Sequence, residues 1–195
     1  METQSNPLAL EIYQEETPNP ESWKYNTSIH LLPNYYVEYK TAEECTTSDL
    51  AKRLFEMPFV KSVFISNNFI TITKKSDYEW YEINPEIKDS IRTFILSGQK
   101  VVSDELLNRA APTENKVAET TEEKIKELLE KYVRPAVESD GGVIEFRGFD
   151  NGVVSLALKG SCSGCPSSQM TLKGGIEGLL KRMVPEVTEV VAVEE

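Results

Sequence analysis

A polar stretch from Ser97 to Thr120 divides this 195-residue chain into two parts, each short enough for one small domain. It holds Ser97-Gly98-Gln99-Lys100 and Ala111-Pro112-Thr113-Glu114-Asn115-Lys116, and its second half has no period of buried positions. One short helix, Ser103 to Arg109 with Ser103 as cap, is expected inside it; the rest reads as flexible. The expected fold class is therefore α+β: two small α+β domains, at 1–97 and 121–195, joined by a flexible linker at 98–120.

Local signals are strongest in the second half. Thr120 followed by Glu123 is a capping box. Ile125, Leu128, Leu129, Tyr132 and Val133 then recur with helical spacing, and the helix should end before or near Pro135 to Glu138. Asp140-Gly141-Gly142 reads as a turn whose two glycines allow positive φ. A hairpin follows. Ile144 and Phe146 alternate with Glu145 and Arg147, and Val154, Leu156 and Leu158 alternate with Ser155 and Ala157. Asp150-Asn151-Gly152 supplies the turn between them. Gly160 to Ser168 is a small-residue loop. A second helix carries Leu172, Ile176, Leu179, Leu180 and Met183 on one face until Pro185 stops it, and Val187 to Val193 reads as a closing strand. The order is α-β-β-α-β.

The first half has a similar outline. Leu8 to Glu15 reads as a strand, Thr17-Pro18-Asn19-Pro20 as a rigid turn, and Trp23 to Asn26 and Tyr35 to Tyr39 as further strands. Thr47 or Ser48 caps a helix carrying Leu50, Leu54 and Phe55. Val60 to Ile65 and Phe69 to Thr73 form a hairpin around Asn67-Asn68. Asn84 caps a last helix with Pro85 at its first position and Ile87, Ile91, Phe94 and Ile95 on its buried face. Trp23 and Trp80 are expected to pack this domain. The Thr17–Pro20 turn either shapes the chain or serves as a docking surface.

The formal net charge of −11 argues against a nucleic-acid binder, which needs a basic stripe, and against an anionic membrane surface. No run approaches the roughly 18 apolar residues of a membrane helix. The acidic, arginine-free start shows neither a secretory signal nor a mitochondrial transit pattern, and three cysteines make no disulfide framework. The expected location is the cytoplasm.

Two of those three cysteines lie in Cys162-Ser163-Gly164-Cys165-Pro166, between a strand and a helix. Helix amides and glycines there can stabilise thiolates. Four readings are open. The pair can exchange with disulfides, although the segment is short for a thioredoxin fold and follows a hairpin. It can join Cys45 and the only histidine, His30, around zinc, although both lie in the other half. Two chains can pool their pairs, giving the four thiolates of one [4Fe–4S] cluster on a two-fold axis. Or the loop is inert.

The run Lys159-Gly160-Ser161-Cys162-Ser163-Gly164-Cys165-Pro166-Ser167-Ser168 has Asp140-Gly141-Gly142 upstream, and Ile176-Glu177 and Val184-Pro185-Glu186-Val187 downstream. Together they resemble the NifU-like C-terminal domain of Nfu proteins, from about Thr121 to Glu195. The first half resembles the same family's N-terminal domain. It does so in Thr17-Pro18-Asn19-Pro20 with Lys24-Tyr25, in Leu50-Ala51-Lys52-Arg53-Leu54-Phe55-Glu56, in Val60-Lys61-Ser62-Val63-Phe64 and in Phe69-Ile70-Thr71-Ile72-Thr73. The scaffold and ferredoxin-like domains of larger NifU proteins have no counterpart.

The resemblance implies a carrier, not an enzyme. It implies that Cys162 and Cys165 of two chains hold a [4Fe–4S] cluster in a cluster-bridged homodimer. The cluster arrives from assembly factors and passes to apo iron–sulfur clients. For the N-terminal domain it implies fold and not mechanism. Lys159 or Lys173 could offset the cluster's charge; solvated charge is the plainer reading, as a structural role is for His30 and Cys45. A dithiol redox protein is the alternative function.

Overall fold

The computed structural model describes residues 10–103, 106, 120–163 and 166–193, without the side chains of Asn34 and 166–172. β1 (Ile12–Glu16), β2 (Ser22–Thr27), β3 (Leu32–Tyr39), β4 (Val60–Asn67) and β5 (Phe69–Lys74) form an antiparallel sheet in the order β1-β2-β5-β4-β3. Of the strand expected from Leu8, Leu8 and Ala9 lie outside the described residues; among the described ones it begins at Ile12, where the ladder with β2 starts, and runs to Glu16–Trp23.

A 3-10 helix at Ala42–Thr47, which no periodicity reveals, leads into α1 (Asp49–Phe55). Ser48 is its cap. The hydroxyl accepts from the Ala51 amide at 3.1 Å and donates to the Val101 carbonyl at 2.7 Å. Thr47 instead bonds the Tyr39 hydroxyl at 2.7 Å.

α2 (Trp80–Leu96) starts about a turn before Asn84 and Pro85. Trp80 stacks on Trp23 with ring centroids 4.9 Å apart, and its Nε1 donates to the Pro20 carbonyl at 2.9 Å. This anchor begins the helix early and leaves Pro85 inside it. The carbonyl that Pro85 cannot serve is that of Tyr81, a residue on the exposed face of the helix. α1 and α2 cover one sheet face, packing Leu50, Leu54, Ile87 and Ile91 on Ile65, Ile70 and Ile72. Val102 joins this core and the Ser103 amide donates to Thr47 at 2.8 Å. Of the expected helix from Ser103 to Arg109 only Ser103 and Leu106 are described; the Leu106 amide donates to the Ser103 carbonyl at 3.1 Å, and the rest of that helix and most of the linker lie outside the described residues.

In the second half α3 (Thr121–Leu128) opens with the capping box: Thr120 accepts from the Glu123 amide at 3.2 Å, and Glu123 accepts from the Thr120 amide at 3.0 Å. The helix runs through Pro135 and ends at Ser139, near the far edge of the expected stop. A π-helical turn at Leu129–Val133 carries it into α4 (Arg134–Ser139). There the Arg134 amide bonds Leu129, five residues back, and Pro135 falls at the start of α4, where no amide is needed. The wide turn also rotates the helix face. Tyr132, expected inside, is 51% exposed, while Val133 and Val137 are buried.

β6 (Gly142–Asp150) and β7 (Val153–Gly160) pair around Asn151 and Gly152, at φ 48° and 86°, as a type I′ turn demands. α5 (Pro166–Met183) crosses over to β8 (Glu189–Ala192), which lies parallel to β7. Ile176 and Leu180 are buried as expected; Met183 is half-exposed, and Val184 fills the core instead. The order is the α-β-β-α-β expected, and both halves are α+β.

The N-terminal sheet is covered on its other face too. Strand alternation points Lys24, Tyr36, Phe64, Phe69 and Thr71 away from α1 and α2. Phe64, Phe69 and Val143 form a buried cluster with Tyr36 against it, so the second domain packs here.

Candidate functional site

β7 ends at Gly160, and the chain turns through Ser161 to Ser163 before α5. Gly160 has φ +69°, and the Ser163 amide closes the turn on its carbonyl at 3.1 Å. Cys162 is only 2% exposed and belongs to the C-terminal core with Ile125, Val137 and Ile144. Cys165 lies outside the described residues.

Gly142 makes the space for Cys162. A Cβ there would fall 2.9 Å from the Cys162 Sγ and 2.6 Å from the Lys159 carbonyl oxygen. Of the two glycines in the Asp140–Gly142 turn only Gly141 has positive φ, at +80°. The second glycine is therefore needed for room and not for its dihedral. Ser161 ties the loop to this turn: its hydroxyl donates to the Asp140 carbonyl and its amide to the Gly141 carbonyl at 3.2 Å. The hydroxyl also lies 3.8 Å from Cys162 Sγ.

Four side chains of the N-terminal domain reach the same backbone. Asn19 Nδ2 donates to the Ser161 carbonyl at 3.2 Å, and Thr71 Oγ1 to the Gly141 carbonyl at 2.7 Å. Lys24 Nζ donates to the Glu138 carbonyl at 2.8 Å, at the C-terminal end of α4 where a cation is favoured. Glu38 accepts from the Gly160 amide at 2.8 Å. Burial pulls the Lys24 ammonium below the usual lysine range, against Glu15, Glu138 and Asp140, which raise it. Burial raises Glu38, against the Gly160 amide and Lys159. The sequence hint to these contacts was the pair Phe64 and Phe69, large apolar residues on the strand face that does not meet α1 and α2.

The other candidates disperse. Cys45 is buried in the N-terminal core, where its thiol donates to the Thr41 carbonyl at 3.4 Å. Burial, with Glu44 beside it, pushes that thiol up to about 11. His30 Nδ1 pairs with Asn67 at 2.8 Å on the surface. The structure thus does not bring Cys45 and His30 to Cys162, and among the described residues no group of three His, Cys, Asp or Glu could hold a metal ion. Lys159 lies near Glu38, and Lys173 is exposed near Glu177.

Chemically, a cysteine at this junction offers soft sulfur, the donor that iron–sulfur clusters take. The room left by Gly142 fits a thiol and little else. As the loop stands, the sulfur faces the core, so metal binding requires Cys162 to turn outward.

Residues 12–98 match the family model described as "Scaffold protein Nfu/NifU N terminal", and residues 125–191 match that described as "NifU-like domain". A NifU-like protein of Schizosaccharomyces pombe is 39% identical over 189 residues, covering 93% of this chain and 72% of that protein. The Homo sapiens "NFU1 iron-sulfur cluster scaffold homolog, mitochondrial" is 38% identical over 177 residues, covering 90% and 69%. Its Drosophila virilis namesake is 41% identical over 184 residues, covering 92% and 60%. The chain thus spans 60 to 72% of the length of these relatives. The solution structure of a Saccharomyces cerevisiae NifU-like protein aligns at 27% identity with a TM-score of 0.46, over 53% of this chain and 94% of that one.

Proposed function

This chain belongs to the Nfu family of NifU-like iron–sulfur cluster scaffold proteins, and from that premise we propose that it carries a [4Fe–4S] cluster between two chains for delivery to apo-proteins. The observation that carries the shared site is the position of Cys45. With that thiol sealed in the other domain's core, one chain offers a single cluster two cysteines, Cys162 and Cys165. A four-thiolate cluster then needs a second chain, and a two-fold pair supplies it.

Transfer on this reading is ligand exchange. A client thiolate forms one iron–sulfur bond as one bond to Cys162 or Cys165 breaks, and the freed cysteine takes up the proton that the client thiol gave. No electron is transferred and no substrate bond is cut by an acid–base pair, so the protein is a carrier and not an enzyme. Its partners are apo iron–sulfur proteins and the factors that load it. We place it in a reducing compartment, the cytoplasm, on its cysteine usage; fractionation of cells expressing the tagged chain tests this against the mitochondria named for its relatives, and recovery with the mitochondria overturns it.

Anaerobic reconstitution with iron and sulfide tests the site. We expect brown protein that a chelator bleaches, at twice the chain's mass, and iron binding lost in Cys162→Ala. Equal iron in wild type and variant sinks the ligand assignment. A monomer holding a full cluster sinks the shared site. Colourless protein that catalytically reduces disulfides supports the dithiol reading instead.

A further inference from the structure

We infer that the N-terminal domain is a clamp on the cysteine loop: it docks on the chain's own second domain, holds Cys162 inward, and must release for a metal cargo to bind. What Cys162 binds rests on the carrier reading above; the clamp rests on geometry alone.

Its contacts flank the cysteine on two sides. Asn19 and Glu38 hold Ser161 and Gly160, the two residues before Cys162. Thr71 and Lys24 hold Gly141 and Glu138, the turn and helix end against which the loop rests. All four bonds go to backbone atoms, so the N-terminal domain reads the conformation of the loop and not its side chains. Close approach is built in. A Cβ on Gly141 would lie 3.0 Å from Thr71 Oγ1, and one on Gly160 would lie 3.2 Å from the Phe64 ring.

Lys24 shows that docking is the designed state of this face. It is a buried lysine, with Nζ 4.6 Å from the Phe69 ring centroid and 3.9 Å from Glu15. A lysine is buried only where its ammonium is paired, and here the second domain's carbonyls provide the pairing. Cys162 is coupled to the same contacts. Its sulfur sits against Gly142, next to the glycine that Thr71 holds. An outward move of Cys162 that carries its backbone along would turn the Ser161–Cys162 peptide, whose carbonyl Asn19 holds. The closed chain therefore guards its thiol, and a second chain sharing a cluster meets an opened one.

The test uses the reduced, iron-free full chain. N-ethylmaleimide labelling of Cys162 is timed by peptide mass spectrometry in wild type, in the pair Asn19→Ala with Lys24→Ala, and in Thr71→Val, which keeps the side chain's shape. Labelling should quicken about tenfold in the double variant, the scale of losing a charge-assisted hydrogen bond. The radius of gyration by small-angle scattering should rise with it, and Lys24→Arg should restore slow labelling. Unchanged labelling overturns the clamp, even if a variant unfolds the N-terminal domain, because unfolding also removes it. A larger radius with unchanged labelling overturns the guarding role. Iron plays no part here, so failure of the ligand assignment leaves this result standing.

Discussion

Each domain follows a hairpin with a helix, but the two strand-to-helix junctions are built differently. Between β5 and α2 the junction is locked by area: Trp80 lies flat on Trp23 and is fastened to Pro20. Between β7 and α5 it is held by closeness: Gly142 leaves space for one sulfur, and hydrogen bonds tie the backbone around it. An aromatic pair costs a large apolar contact to move. A thiol costs little apolar area, so the second junction can open where the first cannot. The difference separates a structural corner from a working one.

The sharpest way to break this comparison is to exchange which cysteine matters. Cys45→Ala should leave iron per chain after reconstitution unchanged, whereas Cys162→Ala should abolish it. Iron lost with Cys45 would make the N-terminal core part of the site. Cys45 also has a pH signature. Its folded pKa of about 11 lies above the free-thiol value of 9.0, so it leaves stability alone below that value and weakens the fold as pH rises from there toward 11. The gap between the denaturant midpoints of wild type and Cys45→Ala should be constant below the free-thiol value and should narrow above it, as only wild type loses stability to this titration.

Next in size is the aromatic lock. Trp80→Ala should destabilise the N-terminal domain by about 3–5 kcal/mol, the usual range for truncating a buried tryptophan. Both tryptophans of the chain lie in that domain, so fluorescence of Trp23 reports on it alone. Iron binding should survive. If stability barely falls, the stack is incidental and the contrast between junctions fails.

Gly142→Ala probes the other junction and should cost about 1–3 kcal/mol, as overpacking does. Its added methyl competes with Cys162 Sγ and the Lys159 carbonyl. Hydrogen exchange of β6 and β7 amides should speed up, and Cys162 should label faster as it is displaced. A neutral substitution would show that the sulfur is not held by this glycine.

Much of this was legible in the sequence because it was local. The capping box at Thr120, the Asn151-Gly152 turn and the alternating hairpins each write their geometry into neighbouring residues. The Cys162–Cys165 pair was legible for the same reason. What the pattern missed came from contacts distant along the chain. Asn84-Pro85 is a good local helix start, but the Trp23–Trp80 stack starts α2 earlier. Pro135 is a good local stop, but a π turn absorbs it and turns Tyr132 outward. Gly142 looked like a turn glycine until the sulfur from beyond the hairpin was placed beside it. The clamp from Asn19, Lys24, Glu38 and Thr71 spans two domains, so no local pattern could encode it.

The smallest expected difference compares the two helix caps. Thr120 is exposed, and its capping box serves only the first turn of α3, so Thr120→Ala should cost about 1 kcal/mol. Ser48 is buried and does two tasks, accepting from Ala51 and donating to Val101. Alanine there loses the cap and also strands the half-buried Val101 carbonyl, so the cost should approach about 2 kcal/mol. Chemical denaturation of each variant, read on tryptophan for Ser48→Ala and on C-terminal amides for Thr120→Ala, measures both. Equal costs would mean that the bond to Val101 adds nothing. An excess at Ser48 would show that the segment after α2 is fastened to the N-terminal domain through the Val101 carbonyl.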